Sequence, residues 1–331
     1  MSVTAVDGFE AAGIASGIKP SGAPDLSLVA TASREPVSAA GVFTTNLASA
    51  APVQISRLHL ADGRAAAVVL NSGNANAATG DAGRADAARA MLTTDTVSKV
   101  ATAPAGNAIV GGMAKGAAML SPAMATMLAV LTTDAEADPV ALRRALAKAV
   151  SETFDCLSVD GCRSTNDTVI VLANGRAGAV TEHALVDALT SVCGSLTEQM
   201  ASDAEGATKL VRIKVVGART DAEARVAARA VANSQLVQCS LNGGDAYWGR
   251  VLSELGASGA FIEPQQVDIA YNGVMICRDG VACAHDAAAL AGHMAGREIE
   301  ICCDLRQAHG EATVLTTDLS HAYIDENRRT S

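Results

Sequence analysis

Only 2% of the 331 residues are aromatic, one Trp, four Phe and three Tyr. Rings usually supply a large share of buried core area, so this interior has to be filled by Ala, Val, Leu and Gly, which requires backbones to approach closely. The chain is nevertheless 49% apolar and 18% charged, far from the polar profile of a disordered chain. Its length suits one large or two ordinary domains, and a protein of this size hides roughly 75% of the surface its unfolded chain exposes.

Charge narrows the partners. With 25 Lys+Arg against 35 Asp+Glu, the formal net charge is −10. An acidic surface repels phosphate backbones, and there are few rings on which to stack bases, so nucleic acid is argued against. Met1 to Ala12 lacks the basic start and apolar run of a secretory signal. Gly116 to Thr133 carries no charge over a length that could span a membrane, but with Ser121, Pro122 and several Thr it reads as buried in protein. The eight Cys contain no C-x-x-C pair, and Cys302 and Cys303 are adjacent. That spacing suits reduced thiols in a cytoplasmic protein better than structural zinc or a disulfide framework.

Periodicity places the elements. Asp138-Pro139 supplies an N-cap and first-turn proline, and Leu142, Leu146, Val150 and Phe154 then recur at helical spacing. A second helix follows Thr220-Asp221, with Val226 and Ala230 read as its apolar stripe. Gly8 through Phe43 suits short strands and turns, and Ala65 to Leu70 is a run of buried-strand length ending in the turn-forming Asn71 to Asn76. Val211 to Val215 and Ile299 to Leu305 alternate with period two and predict half-buried strands. Val267 to Tyr271, Asn272-Gly273 and Val274 to Ile276 predict a hairpin, since both turn positions need positive φ. The class is therefore α/β, a layered sandwich of mixed, largely antiparallel sheets with helices and a smaller C-terminal α/β domain. A change is expected near Ala201 to Lys209.

Local motifs leave chemistry open. Gly111-Gly112-Met113-Ala114-Lys115-Gly116 lacks the Gly-Lys-Ser/Thr order of a phosphate cradle. The six His are scattered, and there is no Gly-x-Ser-x-Gly elbow. Thr126 by itself reads as a β-branched strand residue, and Lys115 and Glu205 as solvated charges.

Ordered motifs along nearly the whole chain carry a resemblance. They include Gly17-Ile18-Lys19, Gly41-Val42-Phe43-Thr44, Asn71 to Asn76, Thr93-Thr94-Asp95-Thr96, Lys115-Gly116, Ala125-Thr126-Met127-Leu128 and Thr132-Thr133-Asp134. They continue with Ser164-Thr165-Asn166-Asp167-Thr168, Asp203-Ala204-Glu205-Gly206, Trp248-Gly249-Arg250 and Thr317-Asp318-Leu319-Ser320. Together they resemble the ornithine acetyltransferase family, the bifunctional glutamate N-acetyltransferases of arginine biosynthesis.

The resemblance implies a precursor that cuts itself between Ala125 and Thr126. Residues 1–200 would form a catalytic domain containing that junction, and 201–331 an α/β domain completing the substrate site. Thr126 becomes the N-terminal nucleophile, its new α-amine acting as base near neutral pH. It passes the acetyl group from N2-acetylornithine to glutamate. Substrate contacts carry over to Thr94, Lys115, Thr126, Glu205, Asn327 and Ser331, Lys115 suiting an α-carboxylate and Glu205 the ornithine ammonium. No metal or bound cofactor is implied, with acetyl-CoA as an alternative acetyl donor. The α-like and β-like pieces are expected to associate into a higher homo-oligomer in the cytoplasm.

One segment departs from the family. Several dozen residues that include the Ser-Thr-Gly of an oxyanion hole are missing between Asn76 and Thr93. Losing one oxyanion donor costs about 10²- to 10³-fold in rate. The alternative is therefore a non-catalytic paralogue that binds an acylated amino acid or a partner protein.

Overall fold

The computed structural model describes residues 2–72, 95–120, 127–162 and 164–328. The chain divides into two compact units, one made of Met1–Asp155 and Cys162–Asp203, the other of Cys156–Gly161 and Ala204–Ser331.

The first unit contains strands β1 (Phe9–Ile14), β2 (Leu26–Thr31) and β3 (Val37–Phe43), helix α1 (Ala51–His59), and strands β4 (Arg64–Ala65) and β5 (Ala67–Asn71). It continues with β6 (Lys99–Ala105), β7 (Ala108–Lys115), β8 (Leu128–Glu136), α2 (Pro139–Glu152), β9 (Thr168–Ala179) and α3 (Glu182–Ser202). Six strands form one sheet in the order β4-β3-β9-β8-β7-β6, and β1-β2-β5 form a second. Every pairing in this unit is antiparallel except β8 with β9.

Alternation along the strands builds the layers. Met113 of β7, Val130 of β8 and Ile170 of β9 point to one face, where Phe9, Val29 and Val68 of the smaller sheet meet them. On the other face α2 and α3 pack against each other and against the strands. The aromatic-poor composition is used there. A Cβ on Gly112 would come within 2.6 Å of Val192 and 3.1 Å of Leu196, so the missing side chain lets α3 lie close on the sheet. Helix α2 follows its predicted pattern. Asp138 accepts from the N–H groups of Val140 and Ala141, and Leu142, Leu146 and Val150 are buried.

The second unit holds β10 (Leu210–Ala218), α4 (Asp221–Ala232), α5 (Gln235–Asn242), α6 (Trp248–Ala257), β11 (Asp268–Tyr271) and β12 (Val274–Arg278). Then come β13 (Val281–Ala282), α7 (Ala287–Ala295), β14 (Glu298–Asp304), β15 (Gly310–Thr317) and α8 (His321–Asn327). Its sheet runs β13-β12-β11-β14-β10-β15, with β10 parallel to β14. The core joins that sheet to α4, α5 and α6 through Ile213, Val231, Leu241, Leu255 and Ile301. The hairpin forms at Asn272 and Gly273, whose φ values are 45° and 81°.

The fold is thus a layered α/β arrangement with mostly antiparallel pairing. Among the described residues no helix is long and apolar enough to cross a membrane. All eight Cys are free thiols.

Two sequence expectations need correction. Helix α4 buries Ala224, Ala227, Ala228 and Val231, and exposes Val226. The contact is made by the smallest side chains because they let the helix sit close to β10 and β15. Ala65 to Leu70 is not one buried strand: β4 and β5 pair in different sheets, and β5 alternates, with Val69 46% exposed, as an edge strand with one covered face does. The predicted turn after Asn71 lies mostly outside the described residues.

Candidate active site

The site is built at one end of the six-stranded sheet. Strands β3 and β7 end there, and β6, β8 and β9 begin there. Lys115, the last residue of β7, is opposite Leu128, the first of β8, and Leu128 is also in register with Thr168, the first of β9. The one parallel pair of this sheet therefore starts beside a lysine. Lys115 is only 6% exposed. Burial pushes its ammonium pKa below the ordinary lysine range, and the carboxyls of Asp95 and Asp167 partly restore it.

Asp167 lies just ahead of β9. Its Oδ1 accepts from the N–H of Met127 at 3.1 Å. The Met127 carbonyl in turn accepts from the N–H of Thr168 at 3.2 Å, and the Asp167 carbonyl from the N–H of Thr44 at 2.9 Å. Asp167 is wholly buried, and its Oδ2 has no hydrogen-bond partner among the described residues. Burial raises its pKa to about 8, against the opposing pull of the Met127 N–H, the Thr44 hydroxyl and Lys115. The carboxyl is therefore mostly neutral at neutral pH.

A second acidic group braces the other side of Lys115. Asp95 Oδ1 accepts from the backbone N–H of Gly116 at 2.7 Å and from Lys99 Nζ at 2.6 Å. Lys99, also wholly buried, donates to Asp203 Oδ2 at 2.5 Å. Asp203 additionally takes the N–H and hydroxyl of Thr96. Burial raises the Asp203 pKa, but Lys99 and Thr96 outweigh it and the net direction is down. Breaking such a buried pair from one side leaves an uncompensated charge, so these bonds tie Asp95 and Thr96 to the ends of β6 and β7.

In the second unit Glu205 is buried, 8% exposed, and its Oε2 accepts from Asn327 Nδ2 at 2.9 Å. Asn327 also donates to the carbonyl of Tyr323. Gly206 explains how Glu205 reaches α8. Its φ is +65°, and a Cβ there would lie 2.2 Å from the N of Tyr323. Ser320 caps α8 by accepting from the Tyr323 N–H and donates its hydroxyl to the Gly206 carbonyl.

Of the positions singled out in the sequence, Lys115 thus sits at the sheet end of the first unit, and Glu205 and Asn327 are bonded to each other in the second. Thr94, Ala125, Thr126 and Ser331 lie outside the described residues. Asp95, Asp167 and Asp203 carry no role in the sequence reading. Each stands inside a quoted motif, and that position was the only local signal available for them. Among the described residues no cluster of His, Cys, Asp and Glu is arranged to hold a metal ion.

Comparison with known proteins gives a consistent result. The model of the ArgJ family matches residues 10–89 and 84–330. The chain is 42% identical to the arginine biosynthesis bifunctional protein ArgJ of Mycobacterium leprae, over 98% of this chain and 94% of that one. It is 41% identical to the ArgJ protein of Streptomyces coelicolor, over 99% of each. The crystal structure of ArgJ from Bacillus halodurans superposes with a TM-score of 0.57 at 32% identity, covering 60% of this chain and 96% of that one. The Mycobacterium leprae alignment runs over 390 positions, more than the 331 residues present here. The two family-model segments meet at 84–89. The first shows that the relative carries residues this chain lacks, and the second puts a break of the family pattern at 84–89, inside the stretch between Asn76 and Thr93.

Proposed function

The chain belongs to the ArgJ family, and on that premise we propose that it is an acetyltransferase moving the acetyl group of N2-acetylornithine to glutamate. The reaction starts after the chain breaks its own Ala125–Thr126 bond. The freed α-amine of Thr126 takes the hydroxyl proton as the oxygen attacks the acetyl carbonyl. The amide C–N bond breaks, ornithine leaves with that proton, and an ester remains on Thr126. The glutamate amine then attacks the ester, the Thr126 oxygen recovers a proton, and N-acetylglutamate departs.

Thr94, Lys115, Glu205, Asn327 and Ser331 bind the amino-acid substrates. Lys115 pairs the α-carboxylate and Glu205 the side-chain ammonium of ornithine. The transfer as proposed uses no bound cofactor or metal. The two pieces stay together in a homo-oligomer and act in the cytoplasm. The observation that carries this reading is the register of Lys115 with Leu128. It supports a buried cation beside the strand that begins two residues after Thr126.

The alternative drawn from the missing segment is a non-catalytic relative that binds an acylated amino acid or a partner protein, and it serves as the outcome to test against. One experiment separates them. The purified protein is exposed to N2-acetylornithine, and the peptide starting at residue 126 is read by mass spectrometry. The proposal expects an acetyl group on Thr126 and none in Thr126→Ala. An uncut chain that captures no acetyl supports that alternative, and full turnover by Thr126→Ala overturns the mechanism.

A further inference from the structure

The second unit buries a phenol that the acetyl-transfer steps do not use. Tyr271, the last residue of β11, is wholly buried. It stands opposite Ile301 of β14, which stands opposite Ile213 of β10, so its ring shares their face and enters the core covered by α4, α5 and α6. Its hydroxyl has no hydrogen-bond partner among the described residues, which is costly for a buried donor. The charged side chains that act on it are Asp245 and Arg250. Asp245 lies three residues before α6, and Arg250 is the third residue of that helix. The remaining neighbour, the Cys303 thiol, is wholly buried and held uncharged by a raised pKa. Burial raises the pKa of the phenol too, so it stays a neutral donor. The start of α6 is open in the same way. No side chain caps it. The Trp248 and Arg250 N–H groups donate to the Ala246 and Tyr247 carbonyls, while the Gly249 N–H has no acceptor among the described residues. Arg250 Nη1 donates to the Leu236 carbonyl, and its guanidinium lies 5.0 Å from the centroid of the Tyr247 ring. Asp245 is exposed, and Ala246 and Trp248 pack against the same core as Tyr271.

We propose that the Tyr271 hydroxyl, the first turn of α6, Arg250 and Asp245 form a binding site for a free α-amino acid, composed of none of the residues assigned to acetyl transfer. The ligand's carboxylate accepts from the Tyr271 hydroxyl and the Gly249 N–H and pairs with Arg250, where the positive end of the helix also favours an anion. Its ammonium pairs with Asp245. The charge pattern selects a zwitterion over a simple anion: donors and a cation gather at one end, and the exposed carboxylate at the other repels an anion that has no positive group of its own. Two independent observations meet here. An uncapped helix start is common, but a phenol buried in the same corner with an unbonded proton is not.

Trp248 is the only Trp of the chain and the first residue of α6, so its emission reports on the site itself. The full-length protein is titrated with the non-aromatic L-amino acids, and with acetate and methylamine as the two halves of the ligand, while Trp248 fluorescence and Tm are followed. At least one amino acid is expected to shift the emission saturably and raise Tm, with acetate binding about tenfold more weakly. Tyr271→Phe is expected to weaken that amino acid about tenfold without lowering the Tm of the ligand-free protein, because it removes only an unsatisfied hydroxyl. Asp245→Asn is expected to weaken the amino acid and leave acetate unaffected. Glu205→Gln, in the proposed acetyl-transfer site, is expected to change nothing. No response to any amino acid up to about 10 mM overturns the proposal. So does parental affinity in Tyr271→Phe, a lowered Tm of that variant without ligand, or acetate that binds as tightly as the amino acid. Loss of the signal in Glu205→Gln also overturns it, by assigning the binding to the substrate site. Acetyl transfer plays no part in the readout, so the proposed reaction can fail without touching this result.

Discussion

Asp167 and Lys115 show how burial changes what a charged side chain is. In sequence Lys115 reads as a solvated charge that only the family motif raises above that reading, and Asp167 stands in a quoted motif with no role of its own. Asp167, Asp95 and Asp203 went without a role, because a carboxylate's solvation is decided by strands far away in the chain, not by its neighbours. The consequence for Asp167 is measurable. In the folded chain its carboxyl titrates near 8, whereas in the unfolded chain it titrates near ~3.9. Between those values the native state holds a proton that the unfolded state has released. Its favourable contribution is complete below the lower value and is lost as pH rises through the higher one. Lys115, Asp155 and the Thr44 hydroxyl face the same carboxyl and remain in the variant. The Tm of Asp167→Asn, compared with the parent from pH 5 to pH 8, is therefore expected to gain on the parent as pH rises. Parallel curves would show that Asp167 is ionised throughout.

Elements whose boundaries rest on local chemistry were legible. Helix α2 announced itself through Asp138, Pro139 and a stripe of Leu and Val, and the β11–β12 turn through Asn272-Gly273. Helix α4 was located correctly but rotated, because in an interior this poor in rings the buried face is marked by alanine, which carries almost no periodic signal. The split of 64–71 into β4 and β5 was hidden for another reason: which sheet a strand joins is a non-local decision. Gly206 shows the same tight packing at a functional element, where Tyr323 of α8 lies against it. Gly206→Ala puts a side chain at φ +65° and against the Tyr323 backbone. It is expected to cost about 1–3 kcal/mol in denaturant unfolding. Amide exchange over 321–327 should accelerate as α8 is pushed from the Glu205 segment. Unchanged exchange there would mean that α8 does not depend on this contact.

At the scale of the whole chain, family membership was legible because many short motifs occur in the right order over almost its full length, which no single motif could establish. The same ordering exposed the missing segment, since Asn76 and Thr93 stand closer together than the family spacing allows. The placement of the six substrate positions was not legible, because they are spread over two compact units and the chain termini of the proposed pieces. Catalysis in the proposed form depends on one event, release of the amine of Thr126, without which its hydroxyl has no adjacent base. Intact-mass spectrometry of the freshly purified, denatured protein reports that event directly. The account predicts two polypeptides, residues 1–125 and 126–331, and a single full-length species from Thr126→Ala. A parent protein that remains one full-length chain while still transferring acetyl groups would contradict it.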